Sequence, residues 1–195
     1  MMLSLVKNEA LRGGGKTLSD PRNYWLSVLR SLPLDLTNLV LVPRLYAIHL
    51  LSNNDGRPGQ DGKIIMPPLR RLSAEVIERH GVFLMDDGLS LFLFVGSNVA
   101  QNILQQLFNV PTVDRVPIGK VALPSLDNSL SEQVNTIIGK IRESRPSYPY
   151  LYVLRDDGDP YLRFQFFSRL IEDRTEVEKS YQQFVVYVKE KSSAQ

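Results

Sequence analysis

Gly81-Val82-Phe83-Leu84-Met85-Asp86-Asp87-Gly88-Leu89-Ser90-Leu91-Phe92-Leu93-Phe94-Val95-Gly96 is the stretch whose reading decides how this chain folds. Val82 to Met85 and Leu91 to Val95 are apolar runs of strand length, and Asp87-Gly88 between them signals a turn. Asp-Gly favours a two-residue hairpin connection in which both turn positions take positive φ. Leu91 to Val95 has no polar alternation, so this strand is expected to be covered on both faces. Two amphipathic helices downstream are available to cover it. Asn98 to Phe108 presents Val99, Ile103, Leu104, Leu107 and Phe108. Ser129 to Arg142 opens with Ser129 and Glu132 at capping-box spacing and presents Leu130, Val134, Ile137, Ile138 and Ile141.

Outward from this centre, Pro111 to Pro124 reads as extended and Pro-punctuated, and Tyr150 to Leu154 as a further strand. Arg44 to Leu51 reads as a buried strand. The following run, Ser52 to Gly62, consists of turn formers without core residues and is expected to be a mobile loop. Ser73 is placed to cap a short helix through Arg79. At the N-terminal end, Met1 to Val6 looks helical, Gly13-Gly14-Gly15 reads as a linker, and Asp20-Pro21 starts a second helix. Tyr24, Trp25, Val28, Leu29 and Leu32 form its apolar face, Pro33 breaks it, and the two segments suggest a helical hairpin. Beyond Asp156-Asp157-Gly158-Asp159, Tyr161, Phe164, Phe167 and Leu170-Ile171 carry one helical face. Ser180 and Gln183 have capping-box spacing for a last helix burying Tyr181, Phe184, Val185 and Val188. The order is helices, a mixed sheet with two flanking helices, then helices again: an α+β chain.

With 195 residues, 43% of them hydrophobic and 23% charged, the chain is long enough and apolar enough for a packed core. A formal net charge of +2 gives no electrostatic case for nucleic acid. No cysteine is present, which excludes disulfides, thiolate metal ligation and a cysteine nucleophile. No apolar run approaches the about 18 residues that span a bilayer, and Met1 to Val6 is too short for a signal-peptide core. That helical text begins at once, so a fragment of a longer chain is expected.

The motifs of catalysis are missing. His49 and His80 are far apart in sequence, and no His-x-x-x-His, Gly-x-Ser-x-Gly or phosphate-loop pattern occurs; Gly13-Gly14-Gly15-Lys16 lacks the strand and glycine spacing of one. Acidic residues cluster at Asp55 with Asp61, at Asp86 with Asp87, at Asp156 with Asp157 and Asp159, and at Glu172 with Asp173. None has the spacing of an EF-hand loop, and turn and capping roles account for them. Arg70, Arg71, Arg79 and His80 around the short helix form either a solvated charged face or a contact for anionic lipid or an acidic partner. Of these, Arg70, Arg71 and Arg79 are the candidate contact residues.

The central run resembles the signature of gelsolin-like domains, in which a strand ending in Asp turns into a second strand ending in aromatic-Val-Gly before a helix. Its flanks narrow the likeness: Pro43-Arg44-Leu45-Tyr46-Ala47, Pro67-Pro68-Leu69-Arg70-Arg71-Leu72-Ser73, Leu170-Ile171-Glu172-Asp173-Arg174, Ser180-Tyr181-Gln182-Gln183-Phe184, and upstream Leu11-Arg12-Gly13-Gly14 and Asp20 followed by Tyr24-Trp25. In this order they are similar to the cargo-adaptor subunit of the COPII vesicle coat, the Sec twenty-four family, over nearly the whole chain. The resemblance implies the end of a helical domain at 1–42, a gelsolin-like domain at 43–157, and helices at 158–195 returning to the helical domain. It also implies a C-terminal scaffold, without catalytic residues, in a subunit that selects cargo for transport from the endoplasmic reticulum to the Golgi. That subunit pairs with a sister coat subunit that stimulates a small GTPase. It reads sorting signals of cargo and SNAREs and lies peripherally on the endoplasmic reticulum membrane and on vesicles, in the cytoplasm. The family's zinc ribbon lies upstream, so no cofactor is expected in this segment. The competing reading is a calcium-regulated, actin-binding gelsolin module, with Asp86 and Asp87 near where that family places a calcium-linked Asp.

Overall fold

The computed structural model describes residues 2–8, 19–174 and 178–193. Its elements in chain order are α1 (Met2–Lys7), α2 (Ser19–Ser31), α3 (Leu34–Leu41), β1 (Arg44–Ala47), β2 (Val82–Asp86), β3 (Leu91–Val95), α4 (Gln101–Phe108), β4 (Gly119–Lys120), α5 (Ser129–Glu143), β5 (Leu151–Arg155), α6 (Pro160–Phe167) and α7 (Tyr181–Ser193). The glycine linker of the expected helical hairpin lies outside the described residues.

The five strands form one mixed sheet in the order β1-β2-β3-β5-β4. The predicted hairpin is its centre: β2 and β3 pair antiparallel from Val82 opposite Val95 to Asp86 opposite Leu91. β3 and β5 are parallel, Leu91 opposite Leu151 through Val95 opposite Arg155. A parallel pair needs a long crossover, which α4, β4 and α5 supply. β1 closes one side of the sheet and the two-residue β4 the other.

β3 is covered on both faces, as its composition requires, but not by one helix on each. Alternate residues of a strand face opposite ways. Leu91, Leu93 and Val95 share a cluster with residues from both α4 (Leu104, Leu107, Phe108) and α5 (Val134, Ile137, Ile138, Ile141). Phe92 and Phe94 point to the other face, which is filled by Leu162 and Phe166 of α6, by Leu170 and by Leu72. The Phe94 and Phe166 rings stack with centroids 5.2 Å apart. This resets the expected face of α6. Leu162 and Phe166 lie buried one helical turn apart, whereas Tyr161 and Phe164 are exposed. Asp159 fixes the register by accepting the Tyr161 N–H at its N-cap, with Pro160 as first helical residue.

Several local expectations are corrected by specific contacts. β1 ends at Ala47 and continues as a 3₁₀ turn over Ile48–Leu50. The segment capped by Ser73 is a single 3₁₀ turn, Ala74–Val76. The helix expected from Asn98 begins at Gln101, after Ala100 in an extended conformation. α5 is capped by Asn128, which accepts the Ser131 N–H at 2.9 Å, so Ser129 is already helical. Ser180 and Gln183 do form a reciprocal capping box before α7. The expected α7 face is not buried, since Tyr181 and Val188 are exposed. α3 follows directly on Pro33, unannounced in the sequence reading, and buries Leu36, Leu39 and Leu41.

The loop 52–62 is built rather than mobile. Gly56 N–H donates to Ile65 C=O at 2.8 Å and Ile65 N–H to Arg57 C=O at 2.9 Å, closing a small hairpin. Gln133 of α5 reaches across with Nε2 to the carbonyls of Ser52 and Asp55, at 2.8 and 2.7 Å. Asp55 is buried and accepts the Ser52 N–H at 2.7 Å. Backbone polar groups, not apolar side chains, anchor it, which is why composition suggested mobility.

The glycine that ends the central run is fixed by close approach. A Cβ on Gly96 would run into the carbonyl of Arg79, whose oxygen also accepts the Asn98 N–H at 2.8 Å. Gly96→Ala is expected to lower the unfolding free energy by about 1–3 kcal/mol, measured by urea denaturation, because backbone must move.

Candidate functional site

β2 ends in two adjacent carboxylates, and the structure buries both. Successive residues of a strand face opposite ways, so Asp86 points to the α5 side and Asp87 to the α6 side. Asp86 accepts the Gly88 N–H at 3.0 Å through Oδ1 and an N–H of Arg145, just past the end of α5, through Oδ2. Asp87 accepts the Leu89 and Ser90 N–H groups at 3.0 and 2.7 Å through Oδ1. Its Oδ2 accepts from Arg169 Nε at 2.5 Å. Arg169, just past the end of α6, also donates to Gln165 C=O at 2.5 Å and lies over the Phe92 ring. Each carboxylate oxygen of the pair is thus taken by a protein donor.

The turn itself differs from the Asp87-Gly88 expectation. Asp87 N–H donates to Ser90 C=O, so Gly88 and Leu89 form the tip. Only Gly88, at φ +85°, has positive φ there. The side chain of Asp87 is busy bracing the loop, which shifts the tip by one residue.

A second carboxylate pair fastens the opposite layer. Glu172 accepts the Leu72 N–H at 2.9 Å and Arg71 Nε at 2.9 Å. Asp173 accepts the Ser73 hydroxyl at 2.7 Å and the Ala74 N–H at 2.8 Å. Of the candidate contact residues, Arg71 is therefore held in an ion pair with Glu172 while staying 57% exposed. Arg70 and Arg79 are exposed; Arg70 N–H donates to Leu45 C=O at 2.8 Å. The remaining acidic residues bind locally: Asp61 to Lys63, Asp156 to Arg163, Asp157 to Arg155, with Asp159 at its cap.

Arg145 and Arg169 were not singled out from the sequence. The signal available was indirect: two Asp at the end of an apolar strand need donors if buried. Nothing in the local text says which arginines, 59 and 82 residues away, supply them. The histidines, separate in sequence, do meet: their ring centroids are 6.2 Å apart.

Burial pushes the Asp86 carboxyl above its ordinary range, and Arg145 is the chief opposing influence. Removing Arg145 would leave a buried carboxylate without its hydrogen-bonded counter-ion. Arg145→Ala is expected to cost about 3–5 kcal/mol at neutral pH in chemical denaturation. Because the folded state takes up the Asp86 proton at higher pH than the unfolded chain, this group favours folding below its unfolded pKa of about 3.9. That contribution is lost as pH rises through the raised folded value. Asp86→Asn is expected to flatten the stability profile across that window, measured by thermal unfolding at stepped pH.

Comparison with known proteins places this architecture. The family model of the gelsolin repeat matches residues 63–138. The chain is 38% identical over 192 residues to the protein transport protein SEC24 of Yarrowia lipolytica, covering 96% of this chain and 21% of that protein. It is 35% identical over 198 residues to that of Pyricularia oryzae, covering 98% and 21%. The crystal structure of the human COPII-coat protein Sec24c superimposes with a TM-score of 0.80 at 28% identity, covering 97% of this chain and 24% of that one. The chain spans about a fifth of the length of the curated relatives it matches. Over nearly its whole length, then, the chain is similar in sequence and fold to part of the Sec24 protein transport proteins, and the gelsolin-repeat family model matches its centre.

Proposed function

We propose that this chain is the C-terminal scaffold of a COPII coat subunit that selects cargo for transport from the endoplasmic reticulum to the Golgi. The observation that carries this reading is the likeness to Sec24 over nearly all of the chain, in sequence and in fold. The site chemistry agrees with a bracing role. Its carboxylates and arginines are spent on one another, linking helix ends to the sheet. In this reading the segment has no catalytic residue. Contact with the sister coat subunit and with cargo and SNARE sorting signals runs through the full-length protein, which lies peripherally on the endoplasmic reticulum membrane and on vesicles. Among the described residues no helix is long and apolar enough to cross a membrane. Arg70 and Arg79 are exposed cations that this segment offers to a partner or a lipid surface.

The calcium-regulated actin reading is not favoured. Its key residues, Asp86 and Asp87, have their oxygens engaged by arginine and backbone donors rather than turned to a common point.

A chimera tests the coat reading. The Yarrowia lipolytica SEC24 segment that aligns with this chain is replaced by the chain itself, in cells lacking their own copy. Growth and export of secretory cargo at near-normal rates are expected. A chimera that accumulates to normal levels yet supports neither would overturn the reading, as would calcium-dependent co-sedimentation of this chain with filamentous actin.

A further inference from the structure

β4 is the last strand of the sheet on its side, and it is only two residues long. Gly119 and Lys120 pair with Val153 and Tyr152 of β5. The Val121 N–H, donated to Leu151 C=O at 3.0 Å, carries the register one residue further. Hydrogen-bonded and non-hydrogen-bonded pairs alternate along an antiparallel ladder. Val121 bonds inward, so Lys120 turns its N–H and C=O away from β5, to the open edge. Side chains alternate as well. Val121 and Leu123 pack toward the α4–α5 core, and Ile118, Lys120 and Ala122 are exposed. The α6 layer covers their face of the sheet only in part. It buries Phe92, Phe94 and Leu154, whereas Tyr150 and Tyr148 are 47% and 61% exposed. The two rings meet edge to face with centroids 5.7 Å apart. Lys120 Nζ lies 3.1 Å from the Tyr150 centroid, and the Arg142 guanidinium carbon 4.3 Å from that of Tyr148. Lys120, Tyr150, Tyr148 and Arg142 thus form one continuous row. Lys140, Arg145, Arg155 and Arg169 each hold a carboxylate. Among the described residues neither Lys120 nor Arg142 does.

We propose that this edge binds an acidic, extended segment of a partner protein as an added strand. Strand addition takes its affinity from main-chain hydrogen bonds and its specificity from alternate side chains. Both are on offer here. The outward N–H and C=O of Lys120 accept a residue placed opposite, and a carboxylate on that residue gains an opposite-charge cross-strand pair. Two residues along, the register sets the small side chain of Ala122 opposite Tyr150. A long side chain of the added strand reaches the Tyr150 ring over it. Arg142, at the far end of the row, extends the positive charge past the strand. Charge also selects against the other obvious occupant. A lysine on a short edge discourages pairing with a like edge, so a second copy of this chain fits poorly where an acidic strand fits well. The inference stands independently of the coat reading.

The test titrates the full 195-residue chain with a labelled peptide of alternating glutamate and threonine, followed by fluorescence anisotropy and backbone amide resonances. Saturable binding is expected, with shifts centred on Lys120 and an affinity that falls as salt rises. Lys120→Glu combined with Arg142→Glu is expected to weaken binding at least about tenfold. Neither side chain is buried, so this variant is expected to keep the wild-type spectrum elsewhere. The same peptide N-methylated at its glutamates keeps its charge but has no N–H for the Lys120 carbonyl. It is expected to bind at least about tenfold more weakly. The proposal is overturned if the unmodified peptide does not bind, if the variant binds it as tightly as wild type, or if the N-methylated peptide binds equally well.

Discussion

Two neighbouring carboxylates, buried at the end of β2 and aimed at opposite faces of the sheet, constrain the rest of this structure. A buried carboxylate without a counter-charge costs several kcal/mol, so a cation must come to each. Arg145 meets Asp86 from the end of α5, and Arg169 meets Asp87 from the end of α6. The layers on the two faces are thereby tied to one hairpin. The apolar packing around β3 supplies the larger driving force, but it is not directional. The ion pairs fix which arrangement of helices over the sheet is reached.

The same hairpin tip also meets a helix from before the sheet. Leu36 and Leu39 of α3 lie so close to Gly88 that an added Cβ would stand 3.1 Å from each. Lys7 of α1 donates to the carbonyl of Asp173, whose carboxylate holds Ser73 and Ala74 beneath the sheet. α3 thus meets the hairpin tip, and α1 meets the segment that follows α6. This is the mechanical character expected of a brace.

Much of this was legible in the sequence, for identifiable reasons. The β2–β3 hairpin could be read because Asp-Gly separates two apolar runs. α5 could be read because its isoleucines recur at helical spacing. α3 was hidden: Leu34-Asp35-Leu36-Thr37 alternates with a period of two and mimics a strand. The face expected around α6 was half right: Phe167, Leu170 and Ile171 do pack into the core, but Tyr161 and Phe164, which fit helical spacing as well as Leu162 and Phe166 do, are exposed. Only the packing against Phe94 decides between them. The ordered loop at 52–65 was missed because its anchors are backbone groups bonded to Gln133. Within the site, the carboxylates were visible as a cluster, but their arginines and the meeting of the two histidines were not. Such pairings depend on contacts across tens of residues, to which local pattern is blind.

The hairpin and the layer on its far face are joined by Asp87 and Arg169. A double-mutant cycle measures this directly, comparing unfolding free energies of the wild type, Asp87→Asn, Arg169→Met and the double variant. The account predicts that the two single losses are strongly non-additive, with a coupling energy of about 1–3 kcal/mol. Losses that add to within about 0.5 kcal/mol would contradict it, leaving apolar packing alone to hold the layers together.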